Sequence, residues 1–90
     1  MKQDIDYKVL NGKLMRLEIN LDKDIIQSIQ ISGDFFVHPE TAILQIEDLL
    51  IGKSIDDVNW IVNRFIEENH IKLIGFDASD LTKALRLIQK

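Results

Sequence analysis

Lys13-Leu14-Met15-Arg16-Leu17-Glu18-Ile19-Asn20-Leu21 alternates apolar and polar side chains at every step from Met15 onward. A period of two puts Met15, Leu17, Ile19 and Leu21 on one face of an extended segment and Arg16, Glu18 and Asn20 on the other, which predicts a half-buried strand. Working forward, Ile25 to Ser32 repeats the parity, with Ile25, Ile29 and Ile31 facing in and Ser28 and Gln30 facing out. Asp22, Lys23 and Asp24 separate the two runs, so a hairpin is expected. Working backward, Tyr7-Lys8-Val9-Leu10 leads into Asn11-Gly12, a dipeptide that favours a two-residue turn. Parity opposes that choice, because it would set Val9 against Leu14 and Tyr7 against Arg16, on the face away from Met15 and Leu17. An odd-length loop, such as a type I turn with Gly12 left-handed in a bulge, returns Tyr7 and Val9 to the apolar face. The expected arrangement is a three-stranded antiparallel meander.

Beyond Gly33 the pattern changes, since Asp34-Phe35-Phe36-Val37-His38-Pro39 shows neither strand nor helix periodicity. This stretch reads as a hinge. Pro39 suits the first turn of a helix, Ile43, Ile46, Leu49 and Leu50 recur at three and four, and Gly52 stops the run. Ser54 with Asp57 three residues on resembles a capping box, ahead of a second apolar stripe at Val58, Ile61, Val62 and Phe65 that fades near Asn69 and His70. Ile71 to Phe76 is a short apolar connection. Asp77 then serves as N-cap of a third helix with Leu81, Ala84, Leu85 and Ile88 on one face. Three strands followed by three helices packed on one face of the sheet make an α+β fold.

A chain of 90 residues holds one small domain, and a domain of that size often leans on a partner. With 11 basic and 15 acidic residues, a net charge of -4 and no lysine or arginine run, nucleic acid is not an expected ligand. Met1-Lys2-Gln3-Asp4-Ile5-Asp6 lacks the apolar core of a signal peptide, and no stretch approaches a membrane span, so a soluble cytoplasmic protein is expected. The absence of cysteine removes disulfides, thiolate metal sites, iron-sulfur clusters and a cysteine nucleophile.

Gly12, Gly33, Gly52 and Gly75 all fall at element junctions, leaving none for a phosphate loop, and no dinucleotide fingerprint occurs. His38 and His70 are far apart and lack a second histidine at metal-ligand spacing, and the carboxylate pairs Glu47-Asp48, Asp56-Asp57 and Glu67-Glu68 sit where solvation or capping explains them. Trp60 beside the second stripe reads as core or interface filler. Gly33-Asp34-Phe35-Phe36 differs, because adjacent aromatics cannot both point inward from a regular strand. Either both cover the open edge of the core once the chain bends, or one of them, with Asp34, forms a patch for a partner protein.

Two stretches carry a family resemblance. Lys8-Val9-Leu10-Asn11-Gly12-Lys13-Leu14, and then Ile29-Gln30-Ile31-Ser32-Gly33-Asp34-Phe35-Phe36-Val37-His38-Pro39-Glu40, resemble the C-terminal accessory domain of lipoate-protein ligases. That family reads Lys-Val-Pro-Gly-Gly-Lys-Leu at the first stretch and the same Ser-Gly-Asp-Phe-Phe at the second. Leu10 and Asn11 stand where the family has Pro-Gly. The resemblance covers essentially the whole chain, and the family's fold is similar to that of scaffold proteins of the NifU and SufE kind. Without cysteines, the iron-sulfur function does not carry over.

What the resemblance implies is an accessory subunit, without catalytic residues of its own, of a two-step ligase. Lipoate is activated with ATP to lipoyl-adenylate and then passed to a lysine of a lipoyl-domain protein. The implied partner is a separate catalytic subunit, forming a heterodimer, with lipoyl-domain acceptors as indirect partners. ATP, magnesium and lipoate belong to the complex, and none is expected on this chain alone. Gly33, Asp34, Phe35 and Phe36 are the candidate partner interface. Lys8, Gly12 and Lys13 are candidates to approach the nucleotide phosphates in the partner's site, where a lysine can stabilise negative charge. The alternatives are a non-catalytic protein-binding module of the NifU and SufE-like fold and a small homodimer.

Overall fold

In the computed structural model, which describes residues 2–9 and 13–88, the alternating segment is the middle strand of a three-stranded antiparallel sheet. The strands are β1 (Lys2–Lys8), β2 (Leu14–Asp22) and β3 (Ile25–Gly33), in that spatial order. Met15, Leu17 and Ile19 are essentially fully buried, as the parity requires. Removing such side chains from water stabilises the fold by about 1.5–3 kcal/mol each.

Strand β1 begins at Lys2, well before the expected start at Tyr7. Its first residues carry little apolar signal, but β2 is long enough to template them, pairing Asn20 with Lys2 and Leu17 with Ile5. Tyr7 lies opposite Met15, and the Val9 N–H donates to the Lys13 carbonyl at 2.7 Å. This register leaves an odd number of residues in the loop, as parity demands. The expected bulge at Gly12 itself lies outside the described residues.

The β2–β3 pairing departs from simple alternation. Asn20 faces Ser28 and Leu21 faces Ile26, so Gln27 is an extra residue in a β-bulge. Inserting one residue reverses the parity ahead of it, which corrects the expectation for Ile25: Ile26 is fully buried and Ile25 only half-buried.

The open edge of β3 is covered by the chain between Glu47 and Lys53. The Ile26 N–H donates to the Lys53 carbonyl at 2.9 Å, and the Gly52 N–H donates back to the Ile26 carbonyl at 2.7 Å. Further along, the Ile31 N–H donates to Glu47 Oε2 at 2.6 Å. A helix carboxylate thus occupies a donor that an edge strand would otherwise offer to another chain.

Helix α1 (Ala42–Leu50) turns Ala42, Ile46 and Leu50 inward. Leu49, expected on the apolar face, is 38% exposed. Pro39 does not begin this helix. It follows a cis peptide bond and lies in the preceding turn, where its carbonyl accepts from the Ala42 N–H at 2.9 Å. After Gly52, at φ +82°, a 3₁₀ turn (Ile55–Asp57) leads into α2 (Val58–Asn69). The capping box expected of Ser54 and Asp57 does not form. Ser54 Oγ accepts from the Asp56 N–H at 3.2 Å and donates to Asp24 Oδ2 at 2.9 Å, while Asp57 accepts from Trp60 Nε1 at 3.1 Å. Left-handed His70 (φ 53°) ends α2.

The reciprocal box is instead at α3 (Ala78–Ile88). The Asp80 N–H donates to Asp77 Oδ1 at 2.9 Å and the Asp77 N–H to Asp80 Oδ2 at 3.0 Å. Leu81, Ala84 and Leu85 are buried, with α1 packed on β3 and α3 beside β1.

Two segments that lack a readable period are paired. Strand β4 (Phe36–His38) runs antiparallel to β5 (Lys72–Ile74), matching Phe36 to Ile74, Val37 to Leu73 and His38 to Lys72. Three residues are too few to display a period. The architecture is α+β, a three-stranded antiparallel sheet with three helices, and the small β4–β5 ladder joins the bend after β3 to the segment before α3.

Candidate functional site

The bend at Gly33 is dictated by backbone space. Gly33 has φ +146°, and a Cβ there would collide with the Leu14 carbonyl oxygen across the ladder. That same oxygen accepts the Asp34 N–H at 2.9 Å, fixing the direction in which the chain leaves the sheet.

Beyond the bend the two phenylalanines part. Phe35 turns toward the core and meets Phe76 edge to face, ring centroids 4.7 Å apart at 65°. Gly75, at φ +108°, lies beneath it, and a Cβ on Gly75 would come within 3.0 Å of the Phe35 Cβ. Phe36 points the other way and is 63% exposed, while its cross-strand neighbour Ile74 is 54% exposed. Two large apolar side chains therefore stand side by side in solvent on the outer face of the small ladder.

These residues frame a shallow depression whose lining is Lys13, Gly33, Asp34, Phe35, Phe36 and Ile74. Of the residues singled out in the sequence, Gly33 to Phe36 and Lys13 are thus brought together at one end of the sheet, where Met15 pairs with Gly33. Lys8 lies apart from this depression, on a neighbouring groove that Lys13 also lines. Gly12 lies outside the described residues. Sequence reading misses Ile74, which falls in a run that reads as a connection. Its signal is the match in length between Phe36–His38 and Lys72–Ile74, visible only once the two are known to pair.

The other candidates have structural employment. Glu47 serves the edge of β3, Asp56 meets Arg86 at 3.1 Å, and Glu68 meets Arg64 at 3.3 Å. Asp6 forms a two-point pair with Arg16 at 2.7 and 3.0 Å, and the guanidinium holds its carboxyl below the ordinary carboxylate value. Asp80 is shifted the opposite way, first by burial against the helix start and then by the charge of Asp77. His38 and His70 are both exposed. Among the described residues, no three His, Asp or Glu side chains cluster as a metal site would require, and no helix is long and apolar enough to cross a membrane.

Comparison with known proteins gives the same direction from three sides. The family model of the bacterial lipoate protein ligase C-terminus matches residues 8–85. Subunit 2 of lipoate-protein ligase A from Thermoplasma acidophilum is 41% identical over 83 residues, which is 92% of this chain and 86% of that protein. A solved structure from the same organism, part of an archaeal lipoylation system comprising a bipartite lipoate protein ligase and its E2 lipoyl domain, superposes with a TM-score of 0.81 at 36% identity. The match spans 96% of both chains. Sequence, fold and length therefore agree, and this chain belongs to the lipoate-protein ligase C-terminal family.

Proposed function

We propose that this chain is the accessory subunit of a two-part cytoplasmic lipoate-protein ligase. It binds a separate catalytic subunit through the Gly33–Phe36 bend and is required for ATP-dependent activation of lipoate to lipoyl-adenylate, before transfer to a lysine of a lipoyl-domain protein. The observation that carries the docking reading is the exposed Phe36–Ile74 pair, set side by side by the β4–β5 ladder. Exposed aromatic anchors held by ordered backbone supply much of the affinity of protein interfaces at small entropic cost. Asp34 and Lys13 at the rim of the same depression add polar contacts that set orientation.

The catalytic subunit supplies the nucleotide and lipoate site, and magnesium belongs with it. This chain contributes no catalytic residue. Lys8 and Lys13 face that site, and their ammonium groups suit the phosphate oxygens of ATP. Gly12, beside Lys13 in the chain, is the third residue assigned to this contact.

The test is reconstitution with the catalytic chain, reading subunit affinity and lipoate-dependent ATP-pyrophosphate exchange. Phe36→Ser and Ile74→Ser are each expected to weaken subunit binding by about 2 kcal/mol, roughly thirtyfold. Both sites are exposed, so thermal stability should shift by no more than about 0.5 kcal/mol. Lys13→Ala is expected to lower lipoyl-adenylate formation. Failure of the wild-type chain to stimulate exchange, or unchanged affinity in both apolar variants, overturns the reading.

A further inference from the structure

A second, larger concavity lies beside the docking depression, between the closed end of the β1–β2 hairpin and the start of α3. It is an open groove of about 1010 Å³, roomy beside ligand pockets that reach roughly 1,000 Å³. Tyr7, Lys8 and Lys13 line one side, and Ser79, Asp80 and Lys83 line the other. The chain is acidic overall at a net charge of -4, yet three of its 11 basic residues meet here.

Among the described residues the ion pairs are Arg16–Asp6, Arg64–Glu68 and Arg86–Asp56, and none uses Lys8, Lys13 or Lys83, although the Lys83 ammonium favours the charged form of the neighbouring Asp80 carboxyl. The two carboxylates on the α3 side, Asp77 and Asp80, are each committed to the other's backbone N–H in the capping box. Lys83 is four residues after Ser79 and three after Asp80, so it shares their helix face. A helical side chain leans toward the N-terminus of its helix, which carries the Lys83 ammonium back over the first turn and toward the groove.

We infer that Lys83 joins Lys8 and Lys13 in a groove that holds an oligophosphate, the phosphate chain of a nucleoside triphosphate or the pyrophosphate released from it. This rests on the reading of the chain as a ligase accessory subunit and adds to it a residue on a different element. Compact ammonium charges on separate flexible stems suit a chain of phosphates, whereas a planar carboxylate is better matched by the fork of an arginine. Lys13 lines both the groove and the docking depression. A partner seated on Phe36 and Ile74 therefore borders the groove, and the phosphate chain is held between two subunits.

The experiment uses the reconstituted pair, varying ATP, pyrophosphate and lipoate separately in the exchange reaction. Lys83→Gln is expected to raise the KM for ATP about tenfold, with the KM for lipoate and the subunit affinity unchanged, and Lys83→Arg is expected to restore much of the loss. A merely structural lysine would not act selectively on one substrate or be rescued by charge. A rise for both ATP and pyrophosphate assigns the groove to the nucleotide's phosphates, and a rise for pyrophosphate alone assigns it to the released product. An unchanged KM for both overturns the inference. If the wild-type pair supports no exchange, the accessory reading fails instead. The groove is then decided by titrating the full chain with tripolyphosphate and following amide signals of residues 8, 13 and 83: shifts at all three support it, and no shifts overturn it.

Discussion

Gly33 bears the tightest steric constraint at the candidate site. With φ +146° and the Leu14 carbonyl oxygen occupying the space of a Cβ, Gly33→Ala must strain the backbone or push β2 aside. The expected cost is about 1–3 kcal/mol, read from the urea midpoint, with weakened partner binding because Phe36 is re-aimed. At this scale the sequence is informative about kind and silent about direction. Adjacent phenylalanines after a strand have to part, but only the bend and the ladder decide that Phe35 goes to Phe76 and Phe36 to solvent. A bulge explains in the same way why Ile26 rather than Ile25 fills the core: one unpaired residue, Gln27, inverts a parity that simple counting extends unbroken.

At the scale of elements, the contact between Glu47 and the Ile31 N–H ties α1 to the outer edge of β3. Glu47→Ala leaves that N–H, on a residue only 5% exposed, without its acceptor. The variant is expected to lose about 1–3 kcal/mol of stability in thermal or urea unfolding. The meander and the three helices are legible because each runs long enough to repeat its period. The early part of β1 is not, since Lys2 to Asp6 offers Ile5 as its one apolar residue and is recruited by the length of β2. The capping box is recognisable as a motif, but its place is not Ser54 and Asp57. It forms at Asp77 and Asp80, where an α-helix comes directly after the cap rather than a 3₁₀ turn whose geometry brings a different N–H to the serine. The β4–β5 ladder joins segments more than thirty residues apart in the chain, a distance over which no local pattern speaks.

At the scale of the molecule, two carboxylates among the described residues are displaced in opposite senses from the ordinary value of 3.8. Asp6 is held lower by Arg16, so its contribution is present above 3.8 and is lost as the pH falls through its folded value. Asp80 is raised chiefly by burial, so its contribution is complete below 3.8 and is lost as the pH rises through its folded value. Asp80→Asn keeps an oxygen for the Asp77 N–H while removing the charge. The stability difference between variant and wild type is expected to move in the variant's favour as the pH rises above 3.8, in urea titrations at stepped pH. The Asp6 pair is exposed, and added salt should shrink its part. The candidate surface gathers at one end of this fold because the hairpin closure, the bend after β3 and the start of α3 converge there. Convergence of that kind is a product of topology, and the sequence pattern alone reaches only the residues on either side of it.

Lys13 lies on the shared wall of groove and depression, so an oligophosphate in the one and a partner on the other would be linked through it. If an oligophosphate tightens the grip between subunits by some factor, the partner tightens the grip on the oligophosphate by that same factor. A ligand held in this way acts as an adhesive between the two chains, so the lifetime of the assembly would track the supply of its phosphate ligand, and a bond of separate polypeptides could be made or released without any change in either fold.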